Sequence, residues 1–281
     1  MTAVELNLKL DAQTTMERVG GLFASSLASN SPTDTLRWHI IREIFQSSPA
    51  TPWVIAPLTS AVLVNAAGAT LGIVTFTTRH GAEGSGGRVA GQFTALATGT
   101  VATVRVLAYT VYSEPGGGTV TVSGTYFVGT YSYIVTHGYV YGLTVSVTGS
   151  LSATVSLIPI GTGGLVSSAP SLAYPNILDW IILKLVGSET LCYHLSSVVW
   201  YAYADVTLLA TTLGRATLSS ISGLLTHGEL PFQASGSLIT IWVSQANTYF
   251  GLYYTLFLIT VPAVYVTTAD RGIFSLVLTI G

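Results

Sequence analysis

Residues 143–157 read LTVSVTGSLSATVSL, and every even-numbered position in this stretch is Ser or Thr. The odd-numbered positions hold Leu, Val, Ala or Gly. A period of two is typical of an extended strand, because successive side chains of a strand point to opposite faces. The stretch therefore predicts a β-strand with one apolar face and one face of hydroxyl groups.

This strand lies within a longer uncharged segment, Pro115 to Leu178, which has no Asp, Glu, Lys or Arg over 64 residues. In the whole chain of 281 residues, charged residues make up 8%, against roughly 25% in an average soluble domain. A free monomer normally keeps charge on its surface for solubility. We therefore expect surfaces that are covered by other molecules, and first of all by copies of the same chain.

Strand patterns continue over most of the chain from residue 51 onwards, separated by short Gly-rich segments. Many short strands joined by such turns predict an all-β fold, here an antiparallel β-sandwich (jelly-roll-like) of one or two β units. Turns are expected at Gly129, at His137-Gly138 and at Gly149, and an exposed glycine-rich loop is expected at 79–88. Residues 177–186 (ILDWIILKLV) fit either a buried helix that ends at Gly187 or a strand.

The sequence also predicts how the chain divides. Residues 1–48 hold 9 of the 22 formal charges, which favours a separate N-terminal strand and helical arm over residues 1–50 and a β domain over residues 51–281. The segment 160–176 is rich in Gly, Ser and Pro and is a candidate sub-boundary. The arm either packs on the β domain or reaches a neighbouring subunit.

Within this arm, Val4–Leu10 alternates as a short strand. The spacing of Met16, Val19, Phe23 and Leu27 predicts a helix. A second helix is better marked, with Ser31 as its N-terminal cap and Pro32 at its first position.

The polar residues do not form a recognisable catalytic pattern. None of the five histidines has a Cys, Asp, Glu or second His at the spacing of a metal site. His80 and His227 stand beside glycines in expected turns, and Cys192 lies two residues before His194 without a third residue to orient the pair. Asp179 and Asp205 lie in apolar surroundings, and Gly161–Gly164 lacks the Lys of a phosphate loop. We predict no catalytic, cofactor-binding or metal-binding residue, and no enzymatic activity.

Nucleic acid and membranes are not favoured as partners. The net charge is −2 and the basic residues are scattered singly, so no nucleic-acid groove is outlined. Thr248–Val266 is uncharged and long enough for a helical membrane span, but Pro262 and the tyrosines favour strands. Membrane contact is kept as a less favoured alternative. Charged residues follow Met1 closely, so no signal peptide is expected in this chain, unless a leader has been removed.

These observations favour a structural subunit of a viral capsid or virion-associated fibre. Copies would join by exchange of terminal strands, with Val4–Leu10 and Ile273–Ile280 as candidates. One alternative is a filament or sheath subunit of a cell, located outside it. Another is a β-sandwich surface- or carbohydrate-binding module that uses the Gly81–Gly87 loop and exposed tyrosines.

Overall fold

A computed structural model describes most of the chain, namely residues 2–20, 25–45, 55–82, 86–113, 118–157, 166–168, 171–173, 176–188, 193–201, 212–217, 220–222, 225–247, 253–269 and 271–281. In these ranges the first half forms strands β1 Thr2–Arg18, β2 Ser25–Pro32, β3 Leu58–Val64, β4 Thr70–Thr75, β5 Thr78–Ala82, β6 Gly86–Thr94, β7 Gly99–Ser113, β8 Thr119–Val135 and β9 Val140–Leu157, with helix α1 Asp34–Phe45.

The second half of the chain forms the remaining elements. These are β10 Val166–Ser168, β11 Ser171–Ala173, helix α2 Asn176–Leu185, β12 Tyr193–Tyr201, β13 Thr212–Thr217, β14 Ser220–Ser222, β15 Leu225–Pro231, β16 Gly236–Asn247, β17 Tyr253–Val266 and β18 Arg271–Ile280. The described part is therefore all-β with two short helices, and its strand pairs are antiparallel apart from β1 with β18.

The larger of two sheets has 13 strands and is built around β1. Its main path runs β14-β15-β18-β1-β2-β8-β7-β3-β4, while β9 lies on the other side of β1 and pairs with β6 and β10. β1 and β9 are antiparallel along the whole of β1, from Thr2↔Leu157 to Arg18↔Tyr141. The hydroxyl-rich strand of the opening stretch is thus the long partner of the first strand of the chain.

This sheet curls back on itself where β4 continues into β5. β4 pairs with β3, whereas β5 pairs with β6. The backbone N–H of Phe76 still donates to Thr59 O at 2.9 Å, and that of Thr77 already donates to Ala90 O at 2.9 Å. One continuous segment therefore connects the two sides of the curled sheet.

The second sheet has five strands in the order β11-β17-β16-β12-β13, all antiparallel. The chain enters this sheet between β10 and β11, inside the 160–176 segment, and returns to the larger sheet between β13 and β14. It enters the second sheet again between β15 and β16 and leaves it between β17 and β18. The division at residue 50 and the sub-boundary remain predictions. From Tyr253 onwards the candidate membrane segment is strand β17.

The core fills the inside of the curled sheet together with faces of both helices. Its residues form one cluster that includes Leu8 and Leu10 of β1, Leu143 and Val145 of β9, and Ile181 of α2. Three glycines of the sheet make room for α2. A Cβ on Gly87 would lie 2.9 Å from Ile182, one on Gly81 2.9 Å from Leu183, and one on Gly149 2.8 Å from Leu178.

The predicted alternation of β9 is confirmed where its side chains are described. Tyr141, Leu143, Val145 and Val147 are buried, whereas Thr148, Ser150 and Ser152 are exposed. The hydroxyl face therefore points away from the core, and the apolar face is the one that is buried within the subunit.

Two of the predicted turns are wrong. Gly129 lies inside β8 and Gly149 inside β9. Each glycine is needed for close approach rather than for a turn, since a Cβ on Gly129 would lie 1.9 Å from Asn30 Oδ1 and one on Gly149 2.7 Å from Lys9 O. The turn at His137-Gly138 is confirmed, and Gly138 has φ +79°.

The helix predicted from Met16 to Leu27 is also wrong. β1 extends to Arg18, and the chain returns as β2, with Thr14↔Ala28 among the pairs. The period of two does continue, because Ala12, Thr14 and Met16 are buried like Leu8 and Leu10. This period is hard to recognise in the sequence, because Thr14 is a polar residue at an inward position. The backbone carbonyl of Thr14 accepts from Tyr131 Oη at 2.8 Å, which satisfies a buried polar group.

The second N-terminal helix is confirmed, but its predicted cap is wrong. α1 starts at Asp34, and Thr33 Oγ1 accepts from Leu36 N at 3.4 Å. Ser31 and Pro32 belong to β2 and pair with β8. The ambiguous 177–186 segment is helical as α2, which Gly187 ends with φ +75°.

Candidate functional site

A cluster of polar side chains is buried where α1 and α2 meet the inside of the sheet. α1 supplies His39 and Glu43, one helical turn apart and therefore on one face. α2 supplies Lys184, and β8 supplies Tyr126. All four residues are buried. These residue types carry acid–base chemistry in many sites, so their contacts decide what this cluster can do.

Glu43 and Lys184 form an ion pair between Oε1 and Nζ. The side chains are only 2% and 1% exposed, respectively. The other carboxylate oxygen of Glu43 accepts from the backbone N–H of Ile55. Lys184 Nζ also lies 5.2 Å from the centre of the Trp180 ring. A buried pair of this kind holds its partners in one arrangement, because separating them leaves an uncompensated charge.

His39 and Tyr126 form the second half of the cluster. The Tyr126 hydroxyl accepts from Ala56 N at 2.9 Å and lies 2.7 Å from His39 Nδ1. Since one lone pair of the hydroxyl is used by Ala56, we assign its proton to the bond with Nδ1, which makes His39 neutral with its proton on Nε2. Burial lowers the pKa of His39, and the charge of Arg42 lowers it further.

Burial also raises the pKa of Tyr126, against the opposing effect of the Ala56 hydrogen bond, while the Glu43 charge adds to the rise. Tyr126 therefore stays protonated and His39 stays neutral at neutral pH. Within each pair the two side chains contact each other, and Glu43 and Tyr126 also accept from the backbone N–H groups of Ile55 and Ala56. The ion pair joins α1 to α2, and the contact of His39 with Tyr126 joins α1 to β8. The cluster therefore has a structural role, which is to hold both helices against the sheet.

Tyr126 reaches this cluster because β8 has a bulge at that position. In the pairing of β7 with β8 the register shifts between Val106↔Phe127 and Leu107↔Thr125, which leaves Tyr126 as the extra residue. Tyr126 and Phe127 are consequently both buried. A second register shift, between Leu58↔Ala108 and Ser60↔Leu107, leaves Thr59 as the extra residue of β3.

The two bulges lie beside each other and indent the outside of the sheet. The resulting open groove has a volume of about 590 Å³. Its lining contains no ionisable side chain other than the Tyr109 phenol, and five of its nine residues carry aliphatic hydroxyl groups. The lining residues are Thr59, Ser60, Thr75, Leu107, Ala108, Tyr109, Ser123, Gly124 and Thr125.

The sequence candidates are placed apart from both features. His80 lies exposed in β5, opposite Arg88 of β6, so the predicted loop at 79–88 is mostly a hairpin of two strands. Gly81 and Gly87, at the two ends of the proposed binding loop, lie against Leu183 and Ile182 of α2, and residues 83–85 between them lie outside the described residues. His137 is exposed, and its Nδ1–H donates to Leu96 O at 2.9 Å.

The other candidates give no site in the described part. His194 lies in β12, opposite Ala246, His227 lies in β15, and Asp179 lies in α2. Cys192, Asp205 and Gly161–Gly164 lie outside the described residues. Among the residues that are described, no three His, Cys, Asp or Glu side chains are grouped as metal ligands would be.

Sequence reasoning missed the buried cluster. Lys184 is the one basic residue within the apolar segment ILDWIILKLV, and His39 and Glu43 have helical i, i+4 spacing. Both signals were present. The partner of Lys184 was not predictable, because Glu43 is 141 positions away.

Comparison with protein-family models, with curated proteins and with solved structures finds no match to this chain. Neither described helix has the length and apolar character that a membrane span requires.

Proposed function

We propose that this protein is a structural subunit that assembles with copies of itself in a viral capsid or virion-associated fibre. The observation that supports the proposal most is the outside of β4, β3, β7 and β8, which we call the outer face. These four strands contain one charged residue, Arg105. Apolar side chains are exposed along them, namely Ile73, Tyr109, Val111, Val128 and Ile134.

An outer face of this composition is costly for an isolated subunit. Exposed apolar groups gain free energy when another surface covers them. The hydroxyl groups between them favour a second copy, because a hydroxyl both donates and accepts and can therefore pair with its own kind. The predicted jelly-roll-like sandwich and the location in a virion or extracellular assembly belong to the same proposal.

The two candidate strands for exchange between copies pair with each other in the structure. Val4–Leu10 and Ile273–Ile280 both lie in the larger sheet, and β1 pairs in parallel with β18 from Thr2↔Phe274 to Leu8↔Ile280. Exchange between copies would replace this pairing within one chain by the same pairing between two chains. Deleting residues 1–12 is not a clean test, because it removes most of β1, from Thr2 to Ala12, and with it the partners of β9 from Val147 to Leu157.

Sedimentation velocity over a range of protein concentrations, followed by negative-stain microscopy, tests the proposal. We expect discrete shells or fibres to form as the concentration rises. A monomer at every concentration would contradict it. A cellular filament or sheath subunit rests on the same physical argument and would also give fibres, so among the assemblies only shells would favour the viral capsid over it.

A second candidate, a surface- or carbohydrate-binding module, is favoured by the groove described above. Tyr109 is 49% exposed at that groove and offers an aromatic ring beside hydroxyl groups. A monomer that binds neutral oligosaccharides in calorimetric titration would support this candidate in place of assembly.

A further inference from the structure

We propose that the groove at the two bulges is where a second copy of this chain docks, with Tyr109 as the anchor of the contact. This inference rests on the proposed self-assembly and names the part of the outer face that carries it. The groove is a recess in that face, and Tyr109 stands at its edge. Aromatic side chains that enter a recess of the partner surface commonly carry most of the binding energy.

The charges of the groove decide what kind of partner fits. Its lining includes no Asp, Glu, Lys, Arg or His. A charged partner would lose hydration there without gaining an ion pair, which is unfavourable. The hydroxyls of Ser60, Ser123 and Thr125 can donate to and accept from an identical set, so the surface is complementary to itself.

The local backbone fixes the shape of the recess. Gly124 lets β8 approach the start of α1 closely, since a Cβ there would lie 2.6 Å from Thr35. Thr33 Oγ1 donates to Thr125 O, and Thr33 N donates to Tyr126 O at 2.9 Å, which fixes β8 against the start of α1. The inward Tyr126 is fixed by His39 and Ala56. The recess is thus formed before a partner arrives, and docking orders few additional residues.

Two-fold symmetry follows from this self-complementarity. In a contact between identical patches, Tyr109 of each copy enters the groove of the other, so every contact is made twice. Loss of Tyr109 therefore removes two anchors from one dimer. This pair is the unit from which larger assemblies are built.

The experiment compares charge placed inside and outside the groove. Ser123→Lys adds a cation to the groove lining, and Gln92→Lys adds the same charge to an exposed position of β6 in the same sheet. We expect Ser123→Lys and Tyr109→Ala to raise the dissociation constant of the pair at least ~10-fold. We expect the dissociation constants of Gln92→Lys and Tyr109→Phe to stay near the wild-type value. Tyr109→Phe keeps the aromatic ring, and Gln92→Lys changes a residue outside the groove. Sedimentation velocity measures the constants, and circular dichroism with thermal unfolding confirms that each variant is folded.

Each outcome decides a different claim. If the wild type assembles and folded Ser123→Lys and Tyr109→Ala assemble equally well, the groove is not the docking site while self-assembly stands. If the wild type is a monomer at all concentrations, both proposals fail. If that monomer binds neutral oligosaccharides and Tyr109→Ala abolishes the binding, the groove is a saccharide site instead.

Discussion

Glu43 and Lys184 are 141 positions apart in the chain, yet they form an ion pair whose side chains are almost completely buried. The pair connects the only two helices of the described part, and both helices pack against the inside of the curled sheet. If either helix left its position, the charged side chain of the other helix would stay in an apolar interior without its counter-charge, which is strongly unfavourable.

Removing one member of this pair should be far more harmful than removing both. We expect Lys184→Met to lower the free energy of unfolding by ~3–5 kcal/mol, because Glu43 is left charged and buried. The double variant Glu43→Leu with Lys184→Met should recover most of that loss. Urea unfolding of the single and double variants measures the coupling. The exposed pair of Lys9 and Asp11, 3.7 Å apart, is the control, and Lys9→Ala should cost less than ~1 kcal/mol. Equal losses for Lys184→Met and the double variant would contradict this account.

His39 should make stability depend on pH. Its pKa in the folded protein is lowered, so the unfolded chain binds more protons as the pH falls below the ordinary value of ~6.5. The contribution of neutral His39 to the free energy of unfolding is therefore fully present above that pH. It is lost as the pH falls toward the pKa that His39 has in the folded protein. The charge of Arg42 acts on His39, the Tyr126 hydroxyl contacts its Nδ1, and Glu43 lies one helical turn away in its ion pair with Lys184. Strand β12 also packs against α1.

Urea midpoints between pH 7.5 and 5.5 measure this effect. We expect His39→Gln to make the urea midpoint depend less on pH than in the wild type. If His39→Gln keeps the wild-type slope, protonation of His39 is not its source.

Two glycines of β9 should respond in opposite ways to the same substitution. Gly149→Ala places a Cβ 2.7 Å from Lys9 O and 2.8 Å from Leu178 Cδ1. We expect it to destabilise the protein by ~1–3 kcal/mol through overpacking. Gly142→Ala is the matched control, because the nearest atom is Glu17 Cγ at 3.7 Å and alanine reduces the freedom of the unfolded chain. Its effect should lie between zero and a gain of ~1 kcal/mol. Thermal unfolding compares the two, and equal losses would show that space is not the cause.

A disulfide can show whether β1 pairs with β18 of its own chain or of a neighbour. Asn7 and Thr279 are directly opposite in the parallel register, and Asn7 is exposed. Asn7→Cys and Thr279→Cys, each in a Cys192→Ser background, are mixed as separate chains, assembled and oxidised. Strand exchange predicts a covalent dimer that contains one chain of each kind. The control pair Gln13→Cys with Ser29→Cys within one chain joins β1 to β2 and should give only internally linked monomers. Assemblies that form without the mixed dimer would exclude strand exchange between β1 and β18.

Part of this fold was predictable because strand periodicity is a local property. The alternation of β9 and of Val4–Leu10 indicated strands, and the turn at Gly138 and the helix before Phe45 were found in the structure. The predictions failed where a distant contact overrode the local pattern. Thr14 is polar yet faces inward, and Gly129 is needed beside Asn30 rather than in a turn.

The candidate sites show the same limit. A lone lysine in an apolar helix signalled a buried partner, but only packing of α1 beside α2 identified it as Glu43. The groove depends on two bulges in different strand pairs that happen to be adjacent in space. Neither bulge has a sequence signal that fixes its partner.

The sequence by itself determined that this chain is rich in strands, poor in charge and hydroxylated along one face of β9, because composition and period belong to single segments. Tertiary structure alone decided that this hydroxyl face points outward and that β1 is the central strand. It also decided that one ion pair holds both helices inside the curled sheet. These outcomes depend on contacts between residues far apart in sequence, whose free energies exist only once the chain has folded.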